Sequence, residues 1–431
     1  MKLQPVSICA ASGLRAEITV PGDKSISHRS IMFGSLAKGQ TLIKGFLHGE
    51  DNFSTLNAFR AMGVAIDQLD DGNLIVDGRG LHGLCEPEDV LDCGNSGTTI
   101  RLMSGLLAGQ DFFSVLTGDQ YLRKRPMGRV LTPLKQMGAM MQGRCGGEYA
   151  PLAITGQPLR AIDYTSPVAS AQVKSAILLA GLYADGTTTV YEPHLSRDHS
   201  ERMLRHFGVE VNSFAGGASI NGGQELIARD VVVPGDISSA AFFMVAALIV
   251  PNSELLICNV GINPSRAGII DILQAMNGSV ELVNERVMAG EPVADILVKS
   301  SELKGIEIDG ALVPRAIDEL PVISVAAACA EGTTVIRDAR ELRVKETDRI
   351  AAMADVLQIL GVEVVTADDG MSIVGREHLG GGQVKSCGDH RIAMSSAVAA
   401  LVAGEEVTID DSQCTAISFP NFWNMIEQIR I

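Results

Sequence analysis

The stretch VPGDKSISHRS, residues 20–30, sets Lys24, His28 and Arg29 within six positions of a 431-residue chain whose formal net charge is −16. Positive charge gathered just after a Pro-Gly turn in so acidic a chain points to a local anion site. A helix N-terminus presents unbonded N–H groups and the positive end of its dipole, so a cationic loop leading into a small-residue helix suits a phosphate or carboxylate. The combination recurs. GNSGTTIR, VASAQVK, AIDELP and CGDHR lead into small-residue segments, while GEDN, LRKRPMGR, LSRDHSER and ELRVKETDR stand before a second kind of segment. Lys24, Ser25, Arg29, Arg101, Lys124, Arg125, Arg343, Lys345, Arg349 and Arg391 together read as an anion trap for small, multiply negative ligands.

Each motif also has a plainer reading. GNSGTT is a tight turn with an N-cap; Asp318 and Glu319 before LPVISVAAACA are first-turn acids of a capped helix. RVKETDR is an exposed helix start whose charge pairs are worth about a few tenths of a kcal/mol each. His28 and His390 carry little weight singly. GDKS is not a P-loop, because Ile18 and Asp23 occupy the two glycine positions of G-x-x-x-x-G-K-[ST]. Recurrence at equivalent positions is what favours the anion reading.

The elements that position these loops repeat. VPGDKS at residue 20 is echoed by VPGDIS at residue 233, about half the chain away. Within each half, an Ala/Ser/Gly-rich helix-like segment precedes a β-rich run, and a second helix stopped by glycine follows. Gly63, Gly138, Gly208, Gly278 and Gly361 mark those stops at intervals of 75, 70, 70 and 83 residues. In RIAAMADVLQILG, Ile350, Met353, Ala354, Leu357 and Leu360 fall at helical spacing, and Gly361 suits a left-handed C-cap. Six units, three per half, are expected, in an α/β chain with small-residue helices buried on most sides. The two VPGD turns are the crossovers, giving one domain at residues 20–234 and another at residues 1–19 plus 235–431. A cleft between them that can close is the expected ligand site.

Bulk properties exclude other classes. An acidic chain has no general affinity for nucleic acid or anionic membranes. The longest apolar run, AAFFMVAALIV at residues 240–250, is too short to span a bilayer, and the start lacks an apolar signal core, so the expectation is a cytoplasmic protein. Cys9, Cys85, Cys93, Cys145, Cys258, Cys329, Cys387 and Cys414 form no C-x-x-C pair, and the eight histidines form no H-x-x-x-H or H-E-x-x-H arrangement. Neither a disulfide scaffold nor a metal site is expected. No amphipathic or exposed apolar segment stands out, so the chain reads as a monomer.

In chain order, PGDKSISHR, GNSGTTIR, RKRPMG, ASAQVKSA, AIDELP, RVKETDR and GDHRIAM resemble the motifs of the 5-enolpyruvylshikimate-3-phosphate synthases, from residue 21 to beyond residue 391. The resemblance implies transfer of the enolpyruvyl group of phosphoenolpyruvate to the 5-hydroxyl of shikimate 3-phosphate through a tetrahedral intermediate. It also implies a two-domain inside-out α/β barrel of βαβαββ units, with neither metal nor organic cofactor. By position, Lys24 resembles a lysine touching both substrates. Ser25, Arg29, Ser170, Gln172, Asp318 and Lys345 resemble shikimate 3-phosphate contacts, while Gly97, Arg125, Gln172, Arg349 and Arg391 resemble the phosphoenolpyruvate site. Asp318 resembles the base at the 5-hydroxyl, and Glu346 the acid-base group at the methylene carbon.

The chain departs from the best-known bacterial pattern. Ala171 replaces a second serine, Glu341 an asparagine, His199 a tyrosine and Ile417 a lysine; Arg197 is the expected substitute for the contact His199 does not make. Two rival readings have specific marks. The related transferase acting on UDP-N-acetylglucosamine typically carries a cysteine in its active-site loop, whereas TGDQYLRKRPMGR has none. A non-catalytic scaffold of stacked repeats would be favoured by loss of Asp318 or Glu346, and both are present.

Overall fold

The computed structural model describes residues 3–431, a mixed α/β chain. It divides into two compact units: Gly22–Val233 with Val287–Glu291 form the first; the residues up to Pro21, Pro234–Arg286 and Pro292–Ile431 form the second. The chain passes between them next to the two VPGD turns. The segment Val287–Glu291 differs from the sequence-based boundary, and the reason is local. Glu291 Oε1 lies 2.8 Å from His199 Nδ1, and Gly290 O accepts a bond from Arg202 Nη1 at 3.3 Å.

The first unit contains three sheets of one pattern. Leu91–Asp92 runs parallel to Phe113–Thr117, which pairs antiparallel with Tyr149–Thr155, itself antiparallel to Met140–Gly143. Asp163–Thr165, Thr187–Tyr191, Gly217–Asn221 and Val211–Phe214 repeat that arrangement. In the remaining sheet the parallel partners of Ala37–Lys44 are Leu226–Ile227 and Val231–Val232, so the end of the unit closes on its beginning. Alternating burial along Tyr149–Thr155, with Ala150, Leu152 and Ile154 inward, keeps each sheet apolar on one face.

The second unit repeats the pattern with a permuted start. Arg15–Thr19 supplies the parallel partner of Glu254–Gly261, so the N-terminal strand belongs here. Glu307–Ile308 does the same for Thr333–Ile336. Val6–Ile8 pairs antiparallel with Val407–Ile409 in the last sheet.

Small-residue helices line the interior of each unit. Lys24–Leu36 begins where the Asp23 carboxylate accepts the Ile26 N–H at 2.8 Å, and Ile237–Ile249 begins likewise, with Asp236 accepting from Ser238 N at 2.8 Å. The repeated VPGD is thus a turn plus an N-cap. Every residue from Ile26 to Leu36 is buried, as the Ala/Ser/Gly composition implied. Helices Gly97–Ala108 and Ala171–Gly181 meet so closely that a Cβ on Gly105 would stand 2.1 Å from the Ala176 carbonyl oxygen. The second helices end as their pattern predicted, except one. Gly63 and Gly361 take φ of +86° and +82°, but after Gly268–Ala275 the left-handed residue is Asn277 at φ +69°, not Gly278. Asparagine tolerates that conformation, so the stop lies one residue earlier than the glycine suggested.

Each unit has its own apolar core. In the second, Phe243, Phe419 and Phe422 pack at centroid distances of 5.6 to 6.0 Å, tying the C-terminal residues to helix Ile237–Ile249. Among the described residues no helix is long and apolar enough to cross a membrane. Gly105→Ala is expected to destabilise the first unit by about 1–3 kcal/mol through overpacking. A urea titration checks this: the midpoint of that unit falls while its slope is unchanged.

Candidate active site

In the first unit the sequence-predicted residues form two groups. Lys24 opens helix Lys24–Leu36 with Nζ 2.7 Å from Asp51 Oδ2, while Asn52 Nδ2 donates to the Lys24 carbonyl at 3.1 Å. Further along the same helix, Arg29 is buried and held by its neighbours. Its Nε donates to Ser200 Oγ at 2.7 Å, Nη1 to Ser25 O at 2.9 Å and Nη2 to Ser175 Oγ at 2.9 Å. Burial lowers its pKa to about 10, with Arg197 adding to the effect and Glu201, Asp23 and Glu291 opposing it. It stays cationic at neutral pH and fixes the Ser25 backbone against the helices that start near Ser170 and Arg197.

The second group surrounds Gly97. Arg101 Nη1 donates to Gln172 Oε1 at 2.6 Å and Nη2 to Pro126 O at 3.1 Å; Gln172 Nε2 donates to Thr98 Oγ1 at 3.1 Å. Arg125 Nη2 donates to Asn95 Oδ1 at 3.1 Å. A Cβ on Gly97 would stand 3.0 Å from Arg125 Nη1 and 3.1 Å from Arg101 Nη1, so the missing side chain is what lets both guanidiniums approach this helix start. Ser170 caps helix Ala171–Gly181, its hydroxyl accepting from Val173 N at 3.5 Å. This arrangement presents cations and helix N-termini together, which suits an oxyanion.

Behind these groups lies a buried ionic core. Lys174 Nζ is 2.7 Å from Glu192 Oε1 and 2.9 Å from Glu201 Oε1. Burial alone would lower the Lys174 pKa, but the two carboxylates outweigh it and raise it. His199 is buried beside Glu291, and Arg197, two residues before it, is half-buried.

In the second unit the predicted acids and bases converge. Asp318 Oδ1 is 3.5 Å from Lys345 Nζ and 3.5 Å from Arg349 Nη1, and Oδ2 is 3.8 Å from Arg266 Nη1. Glu346 Oε2 is 2.7 Å from Arg349 Nη2. Arg391 Nη1 donates to the Asp318 carbonyl at 2.9 Å. Arg349 is fully buried: its Nε bonds Asp389 Oδ2 at 2.8 Å and its Nη2 reaches Asp389 Oδ1 at 3.3 Å. Burial opposes its charge, yet Asp389, Glu346 and Asp318 raise its pKa far above the usual arginine value.

Several expectations change. Glu319 stands at the N-cap position of helix Leu320–Ala328 without capping it through its side chain; its buried carboxylate accepts from Ser238 Oγ and, at 3.1 Å, from Arg266 Nη1. Arg349 is not at an exposed helix start; Asp348 caps that helix through Ala351 N at 3.0 Å. Arg343 leaves the anion trap, for its guanidinium holds Asp348 at 2.7 Å and the Asp368 carbonyl at 2.8 Å. Sequence reasoning also missed Arg266 and Asp389. Asp389 stood inside the quoted CGDHR motif, but nothing in NPSRAG marked Arg266 as other than a loop residue.

Residues 8–426 match the family model described as EPSP synthase (3-phosphoshikimate 1-carboxyvinyltransferase). The chain belongs to the EPSP synthase family. It is 65% identical over 428 residues to the 3-phosphoshikimate 1-carboxyvinyltransferase of Geobacter metallireducens and 66% identical over 428 residues to that of Geotalea uraniireducens, covering 99% of each chain in both cases. Among solved structures, the EPSP synthase of Acinetobacter baumannii is similar with a TM-score of 0.91 at 48% identity, over 99% of this chain and 98% of that one. The enolpyruvyl transferase NikO of Streptomyces tendae shares the fold, with a TM-score of 0.80 at 18% identity over 99% and 98% of the two chains.

One titrating group beside the site makes a stability prediction. His28 is buried with Nδ1 2.7 Å from Thr55 Oγ1, and burial lowers its pKa to about 3. The folded chain keeps it neutral while the unfolded chain takes up a proton below pH about 6.5, so stability falls as pH drops from there toward 3, by about 1.4 kcal/mol per pH unit. His28→Asn retains a donor and acceptor for Thr55 without the titration. Urea midpoints at pH 7, 6, 5 and 4 are expected to fall less steeply in the variant, by the equivalent of one proton.

Proposed function

We infer that the chain catalyses transfer of the enolpyruvyl group of phosphoenolpyruvate to the 5-hydroxyl of shikimate 3-phosphate, releasing phosphate. The observation that carries this is family membership over nearly the whole chain, together with 65% identity to relatives named for that activity. The chemistry sets clear demands. The 5-hydroxyl oxygen attacks C2 while C3 gains a proton; the tetrahedral intermediate then loses a C3 proton as phosphate leaves. A base at the hydroxyl, an acid-base group at C3 and fixed positive charge at the departing phosphate suffice.

Asp318 is our candidate for the base. Lys345, Arg349 and Arg266 stand 3.5 to 3.8 Å from its carboxylate oxygens. Glu346, exposed and held at 2.7 Å by Arg349, is the candidate at C3. Lys24 supplies charge to both substrates. Ser25, Arg29, Ser170, Gln172, Arg197 and Lys345 serve shikimate 3-phosphate, and Gly97, Arg125, Gln172, Arg349 and Arg391 serve phosphoenolpyruvate. Arg349 differs from Arg125 and Arg391 in this role. Fully buried, with carboxylates at Nε, Nη1 and Nη2, it also holds Asp318 and Glu346 in place. The reading includes a cytoplasmic monomer of 45.6 kDa acting on two small molecules, and sedimentation equilibrium checks its mass.

Phosphate release with both substrates present tests the activity, and turnover with UDP-N-acetylglucosamine in place of shikimate 3-phosphate would reverse the choice of acceptor. Asp318→Asn is expected to lower kcat by about two to four orders of magnitude, and near-normal turnover in that variant would remove Asp318 as the base.

A further inference from the structure

Arg266 belongs to no motif, yet it sits within a buried charge cluster beside Asp318. Its guanidinium is 4% exposed. One edge meets the start of helix Ile237–Ile249: Nη2 is 2.9 Å from Asp236 Oδ1 and 2.7 Å from Ser238 Oγ. The other edge meets the AIDELP segment, with Nη1 3.1 Å from Glu319 Oε1 and 3.8 Å from Asp318 Oδ2.

The loop that carries Arg266 is built to hold it. Asn263 Oδ1 accepts from Ser265 N at 2.9 Å and from Ser265 Oγ at 2.7 Å, and Asn263 O accepts from Ala267 N at 2.9 Å. Arg315 Nε donates to Pro264 O at 2.7 Å. Helix Gly268–Ala275 then follows against Arg315, whose Cβ would lie 2.8 Å from a Cβ on Gly268. The guanidinium is therefore delivered by a fixed backbone.

We propose that Arg266 is a positioning residue for Asp318: it fixes the carboxylate through Oδ2 and offsets the adjoining buried charge of Glu319. The proposal rests on the reading of Asp318 as the base. The two carboxylate oxygens of Asp318 face different cations, Lys345 and Arg349 at Oδ1 and Arg266 at Oδ2. Arg391 holds its carbonyl. Of the acids nearby, Glu319 adjoins it in sequence, Glu346 and Asp389 lie beyond Arg349, and Asp236 lies beyond Arg266. Losing the Arg266 guanidinium removes the cation named at Oδ2 and the nearer of the two named at Glu319, the other being Arg391 Nη1 at 4.0 Å. Both changes raise the proton affinity of Asp318. A lysine is not equivalent, because a point charge spans one of the two edges while the planar fork spans both.

The experiment is the pH dependence of kcat and KM, with both substrates, for the wild type, R266K, E319Q and D318N. R266K is expected to lower kcat at pH 7 about tenfold or more while each KM stays within about threefold. It moves the acid limb of kcat to higher pH, because the base is protonated sooner. E319Q, which keeps an oxygen for Ser238 and Arg266 but removes a buried anion, moves that limb to lower pH. Opposite displacements are not produced by a purely structural ion pair. Wild-type kcat in D318N would overturn the reading of Asp318 itself. An inactive D318N beside an acid limb that stays in place in R266K and E319Q, or moves the same way in both, would overturn the role of Arg266 alone. Should R266K fail to fold, the E319Q limb still decides.

Discussion

A cation and an anion buried together hold their places only when each satisfies the other, and that constraint shapes the site in the second unit. The buried charge of Arg349 is matched by Asp389, Glu346 and Asp318 around it. Asp318 in turn also faces Lys345 and Arg266. The outcome is a lattice of paired charges in which Asp318 and Glu346 are oriented before any substrate arrives. Preorganisation of this kind lowers the reorganisation needed in the transition state.

The first unit uses the same constraint on the opposite sign. Lys24 is set by Asp51, and Arg29 is held by two hydroxyls and a carbonyl, so neither swings freely. Lys174, Glu192 and Glu201 make a rigid floor under the helix that begins after Ser170. Gly97 completes the arrangement by leaving Arg101 and Arg125 room at a helix start. The acidic exterior and the cationic helix starts are therefore compatible: the positive charge is local, carried by backbone and a few fixed side chains.

Much of this was legible in the sequence because repetition made it so. VPGD occurring twice gave the two helix starts capped by Asp23 and Asp236, and evenly spaced glycines gave the second helices. The polar loops at equivalent repeat positions supplied the residues that converge in each unit. What stayed hidden depends on tertiary pairing rather than local pattern. Asn277 takes the left-handed turn that Gly278 advertised. Glu319 read as a first-turn acid and proved to be buried in an ion pair, and Arg343 looked like a ligand and proved to be a clamp on Asp348 and a backbone carbonyl. Arg266 carried no local signal, since its partners Asp236 and Glu319 lie far away in the chain.

The central claim is that carboxylates held by fixed cations move protons at the 5-hydroxyl oxygen and at C3. The most direct measurement is deuterium entry into the methylene group of phosphoenolpyruvate and product, followed by NMR during turnover in heavy water, with substrate binding of each variant measured by calorimetry. The account predicts exchange at C3 in the wild type and its loss in Glu346→Gln while both substrates still bind. Exchange at the wild-type rate in that variant, or none in the wild type, would contradict it.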